Sequence, residues 1–216
     1  MGDIFREIDE ELKQEDYLRL WKKYGNHVMA GVLIVLVAVG GFYGWRQYQD
    51  SRRLQASDRY AEAQTLAASG KKEDAAALFA QLAEQSGGGY HMLAELQRAS
   101  MRAAAGDTAG AVALYDSIAA DAGVDPVMRN LATILSVLHS IDSPKSDRAV
   151  LDAKLAPLDT PDGAWRHSAR ELRALLAQKA GDTARAKQLY TQLSDDVDAP
   201  EGIRARAAEM LSALGG

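Results

Sequence analysis

Three stretches share one frame: Gly70-Lys-Lys-Glu-Asp-Ala75-Ala-Ala-Leu-Phe79-Ala-Gln-Leu82, Gly106-Asp-Thr-Ala-Gly-Ala111-Val-Ala-Leu-Tyr115-Asp-Ser-Ile118 and Gly181-Asp-Thr-Ala-Arg-Ala186-Lys-Gln-Leu-Tyr190-Thr-Gln-Leu193. The frame is a glycine, an alanine five later, an aromatic four after that and an aliphatic three further on. Each part has a mechanical reason. Glycine tolerates positive φ, so Gly70, Gly106 and Gly181 each end one helix and turn the chain. Ala75, Ala111 and Ala186 let the second helix approach the first. Phe79, Tyr115 and Tyr190 lie one turn further along the same face and fill the gap to the next pair.

Working outward, Gly70 and Gly106 are 36 residues apart, whereas Gly106 and Gly181 are 75 apart, close to twice that. A degenerate pair is therefore expected between them, turning near Ser143-Pro144, with residues 147–155 as a shortened second helix that lacks the aromatic. First helices are expected at about 53–69, 90–105, 126–142 and 163–180. Ala63, Ala99 and Ala174 stand at one common offset before the glycines, and Pro126 and Pro200 suit first turns. A last helix near 200–214, carrying Glu201, Arg204, Arg206 and Glu209, serves as a solubilising cap. This pattern resembles the tetratricopeptide repeat, a helix–turn–helix unit of about 34 residues. The second-helix half matches three times. The first-helix half departs, with Arg59, Glu95 and Arg170 where bulky apolar residues are expected. A generic bundle of helical hairpins is the competing architecture.

Upstream of the repeats, no charge occurs from Tyr24 to Trp45. As a helix these residues reach across roughly 30 Å of hydrocarbon. Val28, Leu33, Leu36 and Phe42 belong to the apolar centre. Trp21 and Tyr24 at one end, and Tyr43 and Trp45 at the other, are placed like interfacial belts. A buried core helix explains so long an uncharged run poorly, and Phe42, Tyr43 and Trp45 spoil a signal-peptidase site. Flanking charge does not orient the span. Arg6, Lys13, Arg19, Lys22 and Lys23 precede it, and Arg46, Arg52, Arg53 and Arg59 follow. In the leader, Ile4, Phe5, Ile8 and Leu12 share a helical face.

The sequence is thus expected to be all-α: a tail (1–23), a transmembrane helix (24–45) and a repeat solenoid of about four helix pairs plus a capping helix (46–216). Apolar residues make up 47% of the chain but aromatics only 6%, which favours helix over sheet. A net charge of −5 argues against nucleic-acid binding. Having no cysteine, the chain lacks thiolate chemistry. His27, His91, His139 and His167 are scattered without ligand spacing, and the carboxylates fall at solvated helical positions. Asp195, Asp196 and Asp198 fit a helix junction better than a cation site. Ser86-Gly87-Gly88-Gly89 fits an inter-helix loop, with no Gly-Lys-Ser/Thr behind it. The expectation is a protein without catalytic, metal or cofactor site that holds other proteins. Tyr60, Gln64, Leu93, Leu96 and Ser100, from two first helices, are the candidate lining of a partner groove. A plain core role for Tyr60, Leu93 and Leu96 fits the same positions.

The tail Trp21-Lys-Lys-Tyr-Gly25, the apolar span, its exit Gly44-Trp45-Arg46-Gln-Tyr48 and a helix opening at Ser51 resemble the ancillary subunits of the bacterial Sec translocon that carry tetratricopeptide repeats. The resemblance implies an inner-membrane protein with a cytoplasmic N-terminus and a periplasmic repeat domain. It also implies two partners, the translocon and a membrane-anchored periplasmic chaperone. A scaffold for a division or outer-membrane assembly machine, and a holdase binding unfolded chains directly, are the alternatives.

Overall fold

The computed structural model describes the backbone of residues 3–144 and 146–215, and the side chains of residues 18, 21–27, 29–144 and 146–215. Among the described residues the chain is helical, without strands. It divides into two compact units, Met1–Gln55 and Ala56–Gly216. The first helix, α1, runs Asp3–Ala68 and contributes to both. Ser51 does not open a helix: its hydroxyl donates to the Gln47 carbonyl at 2.9 Å, a bond made inside a helix already formed.

In the first unit, α1 is long and apolar enough to cross a membrane. An 18-residue window reaches a mean hydropathy of 2.1, with none of it buried. Leu33, Leu36, Phe42 and Trp45 are all exposed, so the protein itself supplies no apolar cover for them. The side chains of Val28, Ile4, Phe5, Ile8 and Leu12 lie outside the described residues.

The second unit is a stack of helix pairs. The end of α1 is followed by α2 (Lys72–Gln85), α3 (Gly88–Ala104), α4 (Thr108–Ala120), α5 (Pro126–Ser140) and α6 (Arg148–Leu155). A 3-10 turn (Ala156–Leu158), α7 (Arg166–Lys179), α8 (Thr183–Asp195) and α9 (Glu201–Ala213) complete it. Pairs one to four are the end of α1 with α2, α3 with α4, α5 with α6, and α7 with α8; α9 is the cap. The shortened second helix of the third pair is α6, and the expected loop 86–89 is partly absorbed into the first turn of α3, with Gly88 at φ 59°.

Three of the four turns are built alike. Gly70, Gly106 and Gly181 adopt φ of 83°, 86° and 82°. In the second and fourth pairs the glycine N–H bonds the carbonyl three residues back, and the next N–H bonds the one five back: Asp107 to Arg102 and Asp182 to Ala177, both at 2.9 Å. The same aspartates then cap the next helix, Asp107 accepting from the Gly110 N–H at 2.9 Å and Asp182 from the Arg185 N–H at 3.0 Å. One Gly-Asp dipeptide therefore satisfies the orphan groups of two helix ends. Lys71 replaces the aspartate in the first pair and makes no such cap.

Core packing follows the frame. Ala63, Ala99, Val137 and Ala174 are fully buried, as are Ala75, Ala111 and Ala186. Phe79, Tyr115 and Tyr190 each anchor a separate core cluster, while the third pair is packed by Leu151, Leu155 and Leu158 instead.

The turns test this account. A Cβ at Gly181 would meet nothing within 4 Å, so Gly181→Ala is opposed by backbone conformation alone. It is expected to lower unfolding free energy by about 1 kcal/mol in denaturant titrations of the full chain. Gly89→Ala, in open space on a helical backbone, is expected to raise it by about 0.5–1 kcal/mol.

Candidate functional site

The end of α1 and the first helices α3, α5 and α7 present residues ten and six positions before each turn on one face. Those positions are Tyr60 and Gln64, Leu96 and Ser100, Ile134 and Leu138, then Glu171 and Leu175. In the last two pairs this face is hollow. A cavity of about 500 Å³ is lined by Ile134 and Leu138 from α5, Ser168, Glu171, Leu172 and Leu175 from α7, Tyr190 from α8, and Arg206, Glu209 and Met210 from α9. Leu138 is 45% exposed, so the cavity opens on an apolar rim. Cap helix α9 forms one wall and is pinned there by a two-pronged ion pair. Arg206 donates from Nε and from its terminal nitrogen to the two carboxylate oxygens of Glu171, at 2.7 and 2.9 Å.

None of the five residues picked from sequence lines this cavity. Tyr60 is half-buried, its ring 5.5 Å from that of Phe79 and 6.1 Å from that of Tyr90, and its hydroxyl accepts from Gln97 at 3.2 Å. Leu96 packs on the cluster of Ala99, Ala111 and Tyr115. Leu93 is half-buried, and Gln64 and Ser100 are exposed. The residues that sequence reasoning missed, Ile134, Leu138, Glu171 and Leu175, carry the same offsets. Extending the frame through the turn at Pro144 to the third and fourth pairs finds them.

Not all carboxylates are solvated. Around α7, Asp159 keeps only 6% of its side-chain surface and receives Arg170 at 2.8 Å and Arg173 at 2.8 Å. Arg173 also reaches Asp152 at 2.9 Å, and Arg185 meets Asp152 at 2.8 Å. Arg170, out of place in an apolar frame, is thus the link between α7 and the 3-10 region. Burial acts to lower the Arg173 guanidinium, but Asp152 and Asp159 together outweigh it and hold the group above its usual value. At the end of α8, Asp196 accepts from the Asp198 N–H at 3.0 Å and meets His167 at 3.0 Å. The Asp198 N–H first, and His167 after it, hold the Asp196 carboxyl below its ordinary range. The aspartate run thus closes a helix junction.

The other histidines also have packing partners. The His91 ring nitrogen lies 2.6 Å from the Ala83 carbonyl, and His139 stacks on Tyr115 with centroids 5.6 Å apart. His27 is exposed in the first unit. Among the described residues no group of three His, Cys, Asp or Glu is placed to hold a metal. In the same unit, Tyr24 carries Lys23 over its ring at 5.2 Å, and Trp45 lies 6.4 Å from Tyr48. Trp21 covers Gly25, where an added Cβ would meet its ring at 3.3 Å.

Two measurements probe these contacts. Asp159→Ala leaves two arginines without their shared carboxylate and is expected to cost about 3–5 kcal/mol in chemical denaturation. Tyr190 is raised above the ordinary tyrosine pKa by burial and then by Glu171; Tyr115 is raised by burial. A group raised on folding stabilises fully below its unfolded pKa of about 10 and loses that contribution as pH rises through the folded value. The melting temperature of the wild type is therefore expected to fall more steeply above pH 10 than that of Tyr190→Phe.

Comparison with known proteins agrees with the stack. The pattern of the family described as Tetratricopeptide repeat-like domain matches residues 19–214, a span that takes in the apolar segment as well as every helix pair. No curated protein and no solved structure matches the chain. The uniform Gly-turn geometry, the buried small-residue and aromatic positions and this match lead to one conclusion: the chain belongs to the tetratricopeptide repeat-like domain family.

Proposed function

We propose that this protein is a membrane-anchored adaptor of the bacterial inner membrane. In this reading residues 1–23 form a cytoplasmic tail, 24–45 cross the membrane once, and 46–216 form a periplasmic repeat domain. The adaptor is an ancillary subunit of the Sec translocon that links exported chains to a membrane-anchored periplasmic chaperone. It works by holding proteins, with no catalytic step. The repeat-like family membership supports protein interaction, and the exposed apolar helix supports anchoring. The sequence resemblance at residues 21–25 and 44–48 supports the translocon assignment.

The observation that carries the adaptor reading is the apolar cavity on the first-helix face of α5 and α7. A groove there accepts a side chain from a partner helix or an extended segment, with the apolar contact giving affinity and the Arg206–Glu171 pair giving orientation. Photo-crosslinking in intact bacterial membranes is the test, with probes at Trp45 and at Leu138. Adducts with translocon subunits at Trp45, and with a chaperone or exported chains at Leu138, are expected. Leu175→Glu, which places a charge in the cavity, is expected to reduce the Leu138 adducts at least about tenfold. Adducts with division or outer-membrane assembly proteins alone would overturn the translocon assignment. Persistence of the Leu138 adducts in Leu175→Glu would overturn the cavity as the contact site.

A further inference from the structure

A groove of about 440 Å³ lies on the turn side of the stack, between α2 and the last turns of α3, on residues the first-helix cavity does not use. Its floor is apolar, with Ala76 and Ala80 one turn apart on α2 and Met101 from α3. Its rim is charged. Lys72, Arg98 and Arg102 line it against one carboxylate, Glu73, in a chain whose net charge is −5.

These cations keep donors free. Arg98 gives one N–H to Glu95 at 2.6 Å; its other nitrogens have no acceptor among the described residues and are not sealed off by burial. Arg102 is 48% exposed and reaches Asp107 through one nitrogen at 3.2 Å, a carboxylate that also takes the Gly110 N–H. Lys72 is exposed and has no ion pair among the described residues. Lys71 and Lys72 stand where the second and fourth pairs have Asp-Thr. Cations at a helix N-terminus oppose the helix dipole, and here they raise the positive potential at the mouth of the groove.

The junction of the third and fourth pairs shows what this place takes. Arg98 lies eight residues before Gly106, and Arg173 eight before Gly181. Ala76 lies five after the cap residue of α2, and Asp152 five after that of α6. Between α6 and α7 the two positions meet, with Arg173 Nε donating to Asp152 at 2.9 Å. Between α2 and α3 the arginine is kept, and an alanine stands in place of the carboxylate. Glu95 serves Arg98 from its own helix, so an acceptor from across the groove has to come from another molecule.

We propose that the groove docks an acidic amphipathic helix of a partner protein, with a bulky apolar side chain on Ala76, Ala80 and Met101 and a carboxylate one turn away accepting from Arg98 and Arg102. An alanine floor lets a helix come close, and the described residues offer no strand edge for an extended segment to join. The inference rests on the adaptor reading only in making the partner a protein. The full-length protein in detergent micelles, methyl-labelled at Ala and Met, is titrated with blocked helical peptides of about 16 residues. One carries leucine and glutamate four apart on an alanine–glutamine background; the controls replace the glutamates by glutamine or the leucines by alanine. The Ala76, Ala80 and Met101 methyl resonances are expected to shift saturably with the first peptide, and both controls to bind at least about tenfold more weakly. Lys72→Gln combined with Arg102→Gln, two surface changes that leave the Arg98–Glu95 pair intact, is expected to weaken the first peptide about tenfold. The Leu138 photo-adducts are expected to persist in that variant. Absence of a saturable shift, equal affinity for either control, or wild-type affinity in the variant would overturn the proposal and leave the adaptor reading standing. Loss of the Leu138 adducts in the variant would overturn the groove as a separate site.

Discussion

Each full helix pair in this protein closes on buried alanines. Those residues are Ala63, Ala99 and Ala174 on the first helices and Ala75, Ala111 and Ala186 on the second, all fully buried. The large buried side chains pack within a pair and beyond it: Phe79 meets Tyr60 of its own pair, and Tyr115 stacks on His139 of the next. Stability is therefore nearest-neighbour in character: each pair is stabilised by the one beside it. The stack has to end, and α9 ends it by covering the last seam with Ile203 and Ala207 while turning charged residues outward.

The third pair shows what happens when the frame is lost. It has no turn glycine and no aromatic, and α6 is only Arg148–Leu155. Leu151, Leu155 and Leu158 supply what apolar contact so short a helix can. They join Ile134, Val137 and Ile141 on one side and Ala169, Leu172 and Leu176 of α7 on the other in one buried cluster, and charged groups add to it. Asp116 on α4 receives Ser136 at 2.6 Å and Lys154 at 3.0 Å, and Asp152 and Asp159 bind the arginines of α7 and α8. Charge pairs in a partly buried place stabilise less than packed hydrocarbon but are strict about geometry. They add a geometric constraint to the apolar cluster that joins the third and fourth pairs.

What lines the space on the first-helix face decides its chemistry. Around α5, α7 and α9 the lining is aliphatic with one clamped ion pair, which suits an apolar segment. A protein-holding role needs such surfaces to be left open. His91, His139 and His167 each meet a different packing partner, on different helices.

Sequence alone determined the helical class, the turn positions, the degenerate third pair, the cap and the apolar segment. These depend on local rules: positive φ requires glycine, helical periodicity fixes which residues share a face, and an uncharged run of that length has few other readings. Tertiary structure decided which part of the first-helix face is hollow. Tyr60 and Leu96 sit at the correct offsets, but Tyr60 packs on Phe79 and Tyr90, and Leu96 on the Ala111 and Tyr115 cluster, which closes the N-terminal half. The equivalent positions at Leu138 and Leu175 stay open because α9 stands off across the Arg206–Glu171 pair. Tertiary structure alone also showed that Arg170 is an ion-pair hub rather than a departure from the repeat, since Asp159 and Asp196 come to it from other elements. A linear pattern records which face a residue occupies; how far away the next helix stands depends on side chains distant in sequence.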